Sequence, residues 1–599
     1  MKIMMVFISF FIFNSLWAFT DIPAGNVSGV FNLSGSPYRI NGDITIPNGQ
    51  TLTVNPGVQV LFSGAYRLKV DGRLVAVGTQ ADSIHFSTTE SSGTWKGIRF
   101  CQTAATNDSS LIDYCVLENG SASGGSTDLD NAGGALYSQL FSKLRIAHSR
   151  FSNNYSVSGG GAAYFDQCDI VIRNCIFSYN NTPAHGGGLQ TVTATEPYQS
   201  NRIRIYDSAF NHNYGGWGGG VFIAGSTGSV VDNCHFDGDA SYEGGGIMMH
   251  SSEDLLVTHC VITKCISNHI GGGINCTYGN ATISFNSISG CYFTNGWDNP
   301  SGMGIGIQYG GPYLVYNNII YNNLTENTFA AHAGGVRLAD CSYELVNNAI
   351  YNNGASQDAG VLASSWTTGN KIWNNTITNN ACASIGGMKV EGYADVRNNI
   401  IWGNSPATQI RIVTDGTNQI WMFNDIENGL NSVEVYNSPN WNAATQYMSN
   451  MAMYPLFAAP TGGAGVSYDG ASSSWQIPSG SPCRNAGDPD LHVGMYSTDC
   501  LGNPRMDECR IDIGAYEYQN PLQPPRPVQM SRVGGNVVLS WSPVTLAENY
   551  AVYVSDNPDY GFMLLDNAPS HFVHNGAQIQ WTGSGSNPRE FYQVKSIQY

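Results

Sequence analysis

Charge is scarce in this chain, positive charge most of all: its 599 residues hold 26 Lys and Arg against 44 Asp and Glu, a net charge of −18. No run of the sequence gathers the basic residues. That argues against the counterion-releasing surface of a nucleic-acid binder and against the polybasic patch that draws a protein to anionic lipid. Long apolar stretches are also missing, except at the start. There Met1-Lys2 precedes an apolar run from Ile3 to Trp17, broken by Ser9, Asn14 and Ser15 and followed by Ala18. This is the layout of a secretory leader, so residues 1–18 read as a signal peptide and the mature chain is expected to be exported, with no transmembrane segment. Apolar spacing of three and four over ten or more residues is absent, so helical repeats are not expected. No CxxC pair occurs, which leaves a structural zinc site without support.

What the sequence has is a repeat. Eleven times between Ile112 and Ile401 a branched aliphatic residue is followed three positions later by Cys, Ser or Asn, and two later again by Phe, Ile or Leu. The first column runs Ile112, Ile146, Ile172, Ile205, Val231, Val257, Ile283, Val315, Leu345, Ile372, Val396. The second runs Cys115, Ser149, Cys175, Ser208, Cys234, Cys260, Asn286, Asn318, Asn348, Asn375, Asn399. The third runs Leu117, Phe151, Phe177, Phe210, Phe236, Ile262, Ile288, Ile320, Ile350, Ile377, Ile401, at intervals of 24 to 34 residues. A period of that size means a solenoid. The runs are four to six residues long, which is strand length. The second and third columns are two apart and share a strand face, whereas the first is an odd five from the third, so a bend lies between. Asn174, Asn233, Asn317, Asn347, Asn374 and Asn398 sit in that bend and tolerate the left-handed conformation it needs. Stacked coils turn the columns into interior ladders, Phe on Phe and Asn on Asn. Cys115, Cys175, Cys234 and Cys260 then read as small core residues, with a Cys234–Cys260 bridge as the alternative. Cys500 and Cys509 are the better disulfide candidates.

A Gly pair before an apolar residue, as in Gly187-Gly188-Leu189 and Gly219-Gly220-Val221, alternates with Phe-x-x-Asn, as in Phe151–Asn154, Phe177–Asn180 and Phe210–Asn213. This pairing resembles the repeats of polymorphic outer membrane proteins and, more broadly, right-handed parallel β-helix proteins, a fold that hosts adhesins, lyases, hydrolases and phage spikes. Past Asn404 the short pattern stops. Ser481-Pro482-Cys483-Arg484-Asn485-Ala486-Gly487-Asp488-Pro489, then Asp499, Gly502, Pro504-Arg505 and Asp512 to Tyr518, resemble the choice-of-anchor segment of surface β-helix proteins, which implies a terminal cap and a cell-surface setting. After a Pro-rich linker, Trp541 and the Tyr/Val alternation around Tyr550–Val554 resemble a fibronectin type III module. The expected architecture is all-β: signal peptide 1–18, cap and entry coils 19–100, right-handed parallel β-helix 101–425, terminal coils and capping segment 426–519, and a small fibronectin type III-like β-sandwich 520–599.

The motifs of a pectin hydrolase of this fold (paired Asp, Gly-His-Gly, Arg-x-Lys) are not present in order; Arg202-Ile203-Arg204 and His185-Gly186 are isolated fragments. Candidate acid–base residues are Asp207, His235, Asp237 and His259, with His212, Asp239 and Lys264 nearby on successive coils; the alternative is a solvated polar face. Tyr316, Tyr321, Tyr351, Trp373 and Trp402 fall at outward positions and form a candidate sugar-stacking stripe, or else pack under the loops around Trp421 and Trp441. Asp128-Leu129-Asp130 offers carboxylates of the kind Ca2+ takes, but the spacing is generic and better suits a plain surface turn; no other cofactor is expected. The longer intervals before Phe151, Phe210, Ile320 and Ile350 mark loops that would meet a partner. The functional expectation is adhesion or glycan binding at a bacterial cell surface, secreted or outer-membrane-associated, with a polysaccharide or host-surface partner. A polysaccharide lyase or glycoside hydrolase acting on an acidic polysaccharide is the rival, and a non-binding envelope protein the third reading.

Overall fold

The computed structural model describes residues 19–597 except 91–92, 102, 126, 194–200, 295–299, 326–330, 359, 417, 492–493, 495, 507–509, 520–524, 545–546, 548, 556–561, 576–577 and 585–590. The expected leader, Cys509 and parts of all four long loops lie outside the described residues. The chain divides into two compact units, one ending at residue 256 but including 260–267, the other made of 257–259 and everything from 268 onward.

In the first unit the chain winds as stacked coils of parallel strands. One coil shows the plan: Ala163–Asp166 and Asp169–Arg173 lie in a wide sheet, and Ile176–Ser178 in a narrow one. Each pairs in parallel with its counterpart in the next coil: Leu189–Val192, Arg202–Tyr206 and Ala209–Asn211. The columns are in register, Ile146 on Ile172 on Ile205 on Val231, and Phe151 on Phe177 on Phe210 on Phe236. The four Phe rings stack nearly parallel with centroids 4.7–4.9 Å apart, all fully buried. A Phe or Ile buried this way contributes roughly 1.5–3 kcal/mol, and only because a neighbouring coil covers it. Winding begins at residue 20, where Thr20–Ile22 already pairs with Tyr38–Ile40.

The bend between wide and narrow sheets is left-handed throughout. Asn174 and Asn233 have φ of +50° and +52°, and Tyr114, His148 and Asp207 adopt the same conformation at the equivalent position. The Gly pair has a packing cause. A Cβ on Gly188 would lie 2.9 Å from the Phe210 ring of the next coil, and one on Gly220 would lie 2.8 Å from Phe236. The backbone must pass directly over the third-column side chain, so the Gly pair and the Phe belong to one interlock.

The second unit repeats the plan with longer wide-sheet strands, Ile274–Ser284, Ile305–Tyr316 and Val336–Val346, in which the bend between the two wide-sheet segments is absorbed into one strand. Its bend residues Asn317, Asn347, Asn374 and Asn398 are left-handed as expected, at φ +55° to +57°. The coils continue beyond Asn404. Trp421 pairs with Val396 in the first column, and Ile426 with Ile401 in the third. Asn424 and Asn450 extend the second column. An aromatic residue in place of the branched aliphatic hid this turn from the repeat pattern. Residues 455–518 then form an irregular segment, described below. From 529 onward, four antiparallel strands and three antiparallel strands share a core of Val537, Leu539, Trp541, Tyr550, Val552, Phe572, Ile579, Trp581 and Val594.

Cys115, Cys175, Cys234 and Cys260 are buried free thiols, so the small-core reading holds and the Cys234–Cys260 bridge does not form. Cys500, expected in a disulfide, is also a buried free thiol, packed with Tyr351 and Tyr516.

Candidate functional site

The narrow-sheet face of the first unit carries the expected acid–base residues. His235 is in register with Ala209, and Asp237 with Asn211, so both point outward one coil beyond Asp207 and His212. Proximity does not make them a catalytic set. Asp207 Oδ1 accepts from Asn233 Nδ2 at 2.7 Å, and Asp237 Oδ1 from Thr263 Oγ1 at 2.8 Å. His212 stacks on Tyr179 with centroids 5.3 Å apart, while His235 is exposed with no side-chain partner among the described residues. His259 belongs to the second unit, where it stacks on Phe285 at 5.3 Å. Among the described residues neither His212 nor His235 is paired with a carboxylate that would orient its ring. Asp239 is different: it is fully buried, its Oδ1 accepting from the Asn213 backbone N–H (2.7 Å) and Nδ2 (2.8 Å), and burial pushes its carboxyl well above the usual range. It is the last rung of the ladder Asn154, Asn180, Asn213.

The aromatic stripe is a second correction. Its members do point away from the coil interior, but the 455–518 segment folds back over them. Tyr351 is 5% exposed beneath Trp475 and Tyr516, with Tyr321 and Trp402 packed against the same cluster. Tyr316 meets Tyr496 edge-on at 5.3 Å. The covering chain is not the loops around Trp421 and Trp441; Trp421 is in the core. The left-handed Asn residues clamp this roof. Asn317 Nδ2 donates to Thr498 Oγ1 (3.0 Å), Asn352 Nδ2 to the Gly463 carbonyl (3.1 Å), and Asn398 Oδ1 accepts from the Asp488 N–H (2.7 Å). Inside the roof, buried Arg505 donates to the Asp512 carbonyl, the Asp512 N–H to Glu517, and Asp499 accepts from the Leu501 and Asn503 N–H groups. Between roof and sheet a cleft of about 240 Å³ is lined by Tyr321, Tyr351, Trp475, Tyr516, Ser473 and Gln476. Its rings are locked in packing, whereas sugar stacking needs an open ring face.

An open ring face exists on the wide sheet of the same unit. Trp366, 48% exposed, stands edge-on to Tyr393 at 5.5 Å. Tyr393 borders a cleft of about 310 Å³ with Thr368, Asn370, Lys371, Asp395 and Asn418. The Tyr393 hydroxyl donates to Asp415 Oδ2 at 3.2 Å. Lys371 pairs with Glu344 (2.9 Å) and lies 4.8 Å above the ring of Trp373, the one stripe member near this cleft. Trp366 sits in a Ser-Ser-Trp-Thr-Thr-Gly-Asn turn outside the three columns. A bulky aromatic residue in an otherwise small, hydroxyl-rich turn is the sequence signal that column-based reading passed over.

A family described as "Right handed beta helix region" matches residues 96–260, 141–320 and 243–401, which together span just over half of the chain. The chain belongs to the right-handed β-helix family. Among curated proteins, the chain is 24% identical over 222 residues to metabotropic glutamate receptor-like protein R of Dictyostelium discoideum, covering 36% of this chain and 13% of that protein. It is 31% identical over 81 residues to protein bark beetle of Drosophila melanogaster, covering 13% and 3%. The chain thus spans a small fraction of either relative. Among solved structures, a double mutant of a periplasmic alginate epimerase aligns with 71% of this chain and 84% of its own at 11% identity and a TM-score of 0.32. A tailspike mutant of E. coli bacteriophage HK620 in complex with pentasaccharide aligns with 93% and 86% at 12% identity and a TM-score of 0.18. At these values neither structure bears on what this β-helix binds.

The acidic turn of the β-helix is a one-turn helix, Asp128–Asn131. Asp130 faces Arg67 Nη1 at 2.8 Å and Lys96 Nζ at 4.0 Å, so two cations already neutralise it; the Asp128 side chain lies outside the described set. Among the described residues no group of three or more His, Cys, Asp or Glu is arranged to hold a metal ion, and no helix is long and apolar enough to cross a membrane.

Proposed function

We propose that this β-helix is an exported surface protein that binds a glycan at the cleft beside Trp366. The half-exposed indole edge-on to Tyr393, whose ring lines a cleft with Asp395 and Asn418 and whose hydroxyl donates to Asp415, carries this reading. A pyranose presents a C–H face suited to a flat ring and hydroxyls suited to carboxylate and amide groups. The leader-like start, the choice-of-anchor-like roof and the fibronectin type III-like end fit export and surface display, with the end module acting as a spacer. The test is a glycan array read with the full chain and with Trp366→Ala. Removing one stacked ring is expected to weaken binding about tenfold, roughly 1.4 kcal/mol. Absence of binding by the unaltered chain, or equal binding by the variant, rejects the reading.

A further inference from the structure

Although no stretch of sequence is basic, winding the chain builds a basic face in the first unit. Three successive wide-sheet strands, Leu144–Ala147, Asp169–Arg173 and Arg202–Tyr206, pair in register with Arg145 beside Val171 and Val171 beside Arg204. The outward positions therefore bring Arg145, Arg173, Arg202 and Arg204 together, with Lys143 just before the first strand. Five of the 26 cations of a chain with net charge −18 meet on one small surface. The compensation is a single carboxylate. Asp169 is shared by Arg202 (2.5 Å) and Arg204 (2.6 Å). Lys143 Nζ donates to the Ala105 and Asn107 carbonyls, which hold it in place without neutralising it. Arg173 lies 4.0 Å over the Tyr206 ring, again with its charge unspent. Arg145 is exposed and has no ion-pair partner among the described residues. The carboxylates at the margins are Asp108, 3.9 Å from Arg73, Asp113, engaged by His148 at 2.9 Å, and Asp232, in register with Tyr206.

Between these side chains lies a cleft of about 170 Å³ lined by Ser109, Ser142, Lys143, Arg145, Asp169 and Arg204. Arg204 Nε is buried beside it with no acceptor. We propose that this face binds an acidic oligosaccharide, carboxylated or sulfated, running along the coil axis. Coils are about 4.8 Å apart, so Arg145 and Arg204, two coils apart, are separated by about 10 Å, a spacing that alternate acidic sugars of an extended chain can meet. Guanidinium groups match carboxylate and sulfate oxygens in a bidentate fork, and the Ser109 and Ser142 hydroxyls supply neutral partners for sugar hydroxyls. The site is independent of the Trp366 cleft.

The experiment is titration of the full-length protein with a galacturonate hexamer and with a sulfated heparin-derived hexasaccharide, at low and raised salt, using cellohexaose as the neutral control. The expectation is binding of one or both acidic oligomers, weakened by salt because the charges are exposed, and none of cellohexaose. Arg145→Glu with Arg173→Glu should lower affinity at least tenfold, with an unchanged melting temperature verifying the fold. Arg145→Gln alone should give a smaller loss in the same direction, and Trp366→Ala no change. Failure of both acidic oligomers to bind at low salt overturns the proposal, as does equal binding by the Glu variant. Equal affinity for oligothymidylate also overturns it, since that would mark an unselective polyanion surface.

Discussion

Immediately after each bend the first unit places Cys115, Ser149, Cys175, Ser208, Cys234 and Cys260, whereas the second places Asn286, Asn318, Asn348, Asn375, Asn399 and Asn424. Two positions on, the first unit has mostly Phe and the second only Ile. Both residues face the coil interior, so a small second-column side chain goes with a large third-column one and the reverse, which keeps the interior filled at constant coil size. The wiring differs too. In the first unit the column makes single bonds, such as the Cys175 N–H to Ser208 Oγ at 3.1 Å. In the second, from Asn318 to Asn424 each Asn Oδ1 accepts twice from one neighbouring coil and each Nδ2 donates both along the ladder and to a backbone carbonyl. Asn348 Oδ1 takes the Asn318 N–H and Nδ2 at 3.0 Å, and Asn348 Nδ2 donates to Asn375 Oδ1 and the Val315 carbonyl. One solution rests on dispersion and ring stacking, the other on a continuous hydrogen-bond chain whose members polarise one another.

The comparison breaks most visibly at Asn348. Asn348→Ala leaves several buried donors and acceptors unpaired, and at 1–3 kcal/mol for each the expected loss is about 4 kcal/mol. Cys175→Ala, at the same position in the first unit, should cost about 1 kcal/mol. Hydrogen exchange resolved to each unit, read together with denaturant melts, measures both; similar losses would mean the two wirings are energetically equivalent.

The first unit also contains its own exception. Asp239 ends an Asn ladder, with Oδ2 at the place from which Asn180 and Asn213 donate Nδ2 to a carbonyl of a preceding coil. A retained proton lets the carboxyl act as that donor. Below about pH 4 both folded and unfolded chains hold the proton, and no cost arises. As pH rises the unfolded chain ionises while the buried group resists, so stability falls. Asp239→Asn completes the ladder. It should raise stability by about 1 kcal/mol at pH 7 and flatten the first unit's pH profile above pH 4. A profile identical to that of the unaltered chain contradicts this.

The smallest effect concerns the outer face. The narrow sheet is roofed in the second unit, and bare in the first, where Ile176 and Val261 are exposed. Asn352→Gly keeps the left-handed turn at φ +52° but removes the donor to Gly463 and Gly465. Exchange of amides in 461–470 should quicken severalfold, about 1 kcal/mol of local stability, with no change around Asn348. Unchanged exchange would mean that aromatic packing alone holds the roof.

The sequence displayed the coil because each coil repeats one set of steric demands: a branched residue, a left-handed Asn, a small or amide side chain, a Phe or Ile, and a Gly pair under it. Ile205 on Val231 and Phe177 on Phe210 follow from spacing alone. What covers Tyr351 was not readable, because the roof is non-periodic and reaches back more than a hundred residues through Trp475 and Tyr516. The stripe therefore looked open when it is closed. His235 and Asp237 do share the outward side of one strand, but hydrogen-bond partners such as Thr263 are chosen by rotamers that spacing does not encode. The basic face escaped notice for the opposite reason: its members fall in three places, at Lys143 and Arg145, at Arg173, and at Arg202 and Arg204, which become neighbours only by winding.

The thirteen described thiols are unbridged, and eleven of them are buried. An alkylating or oxidising reagent can reach those eleven only when a coil parts from its neighbour. Each sulfur is thus a timer of local opening, and the lifetime of the reduced fold is set by how seldom its turns breathe.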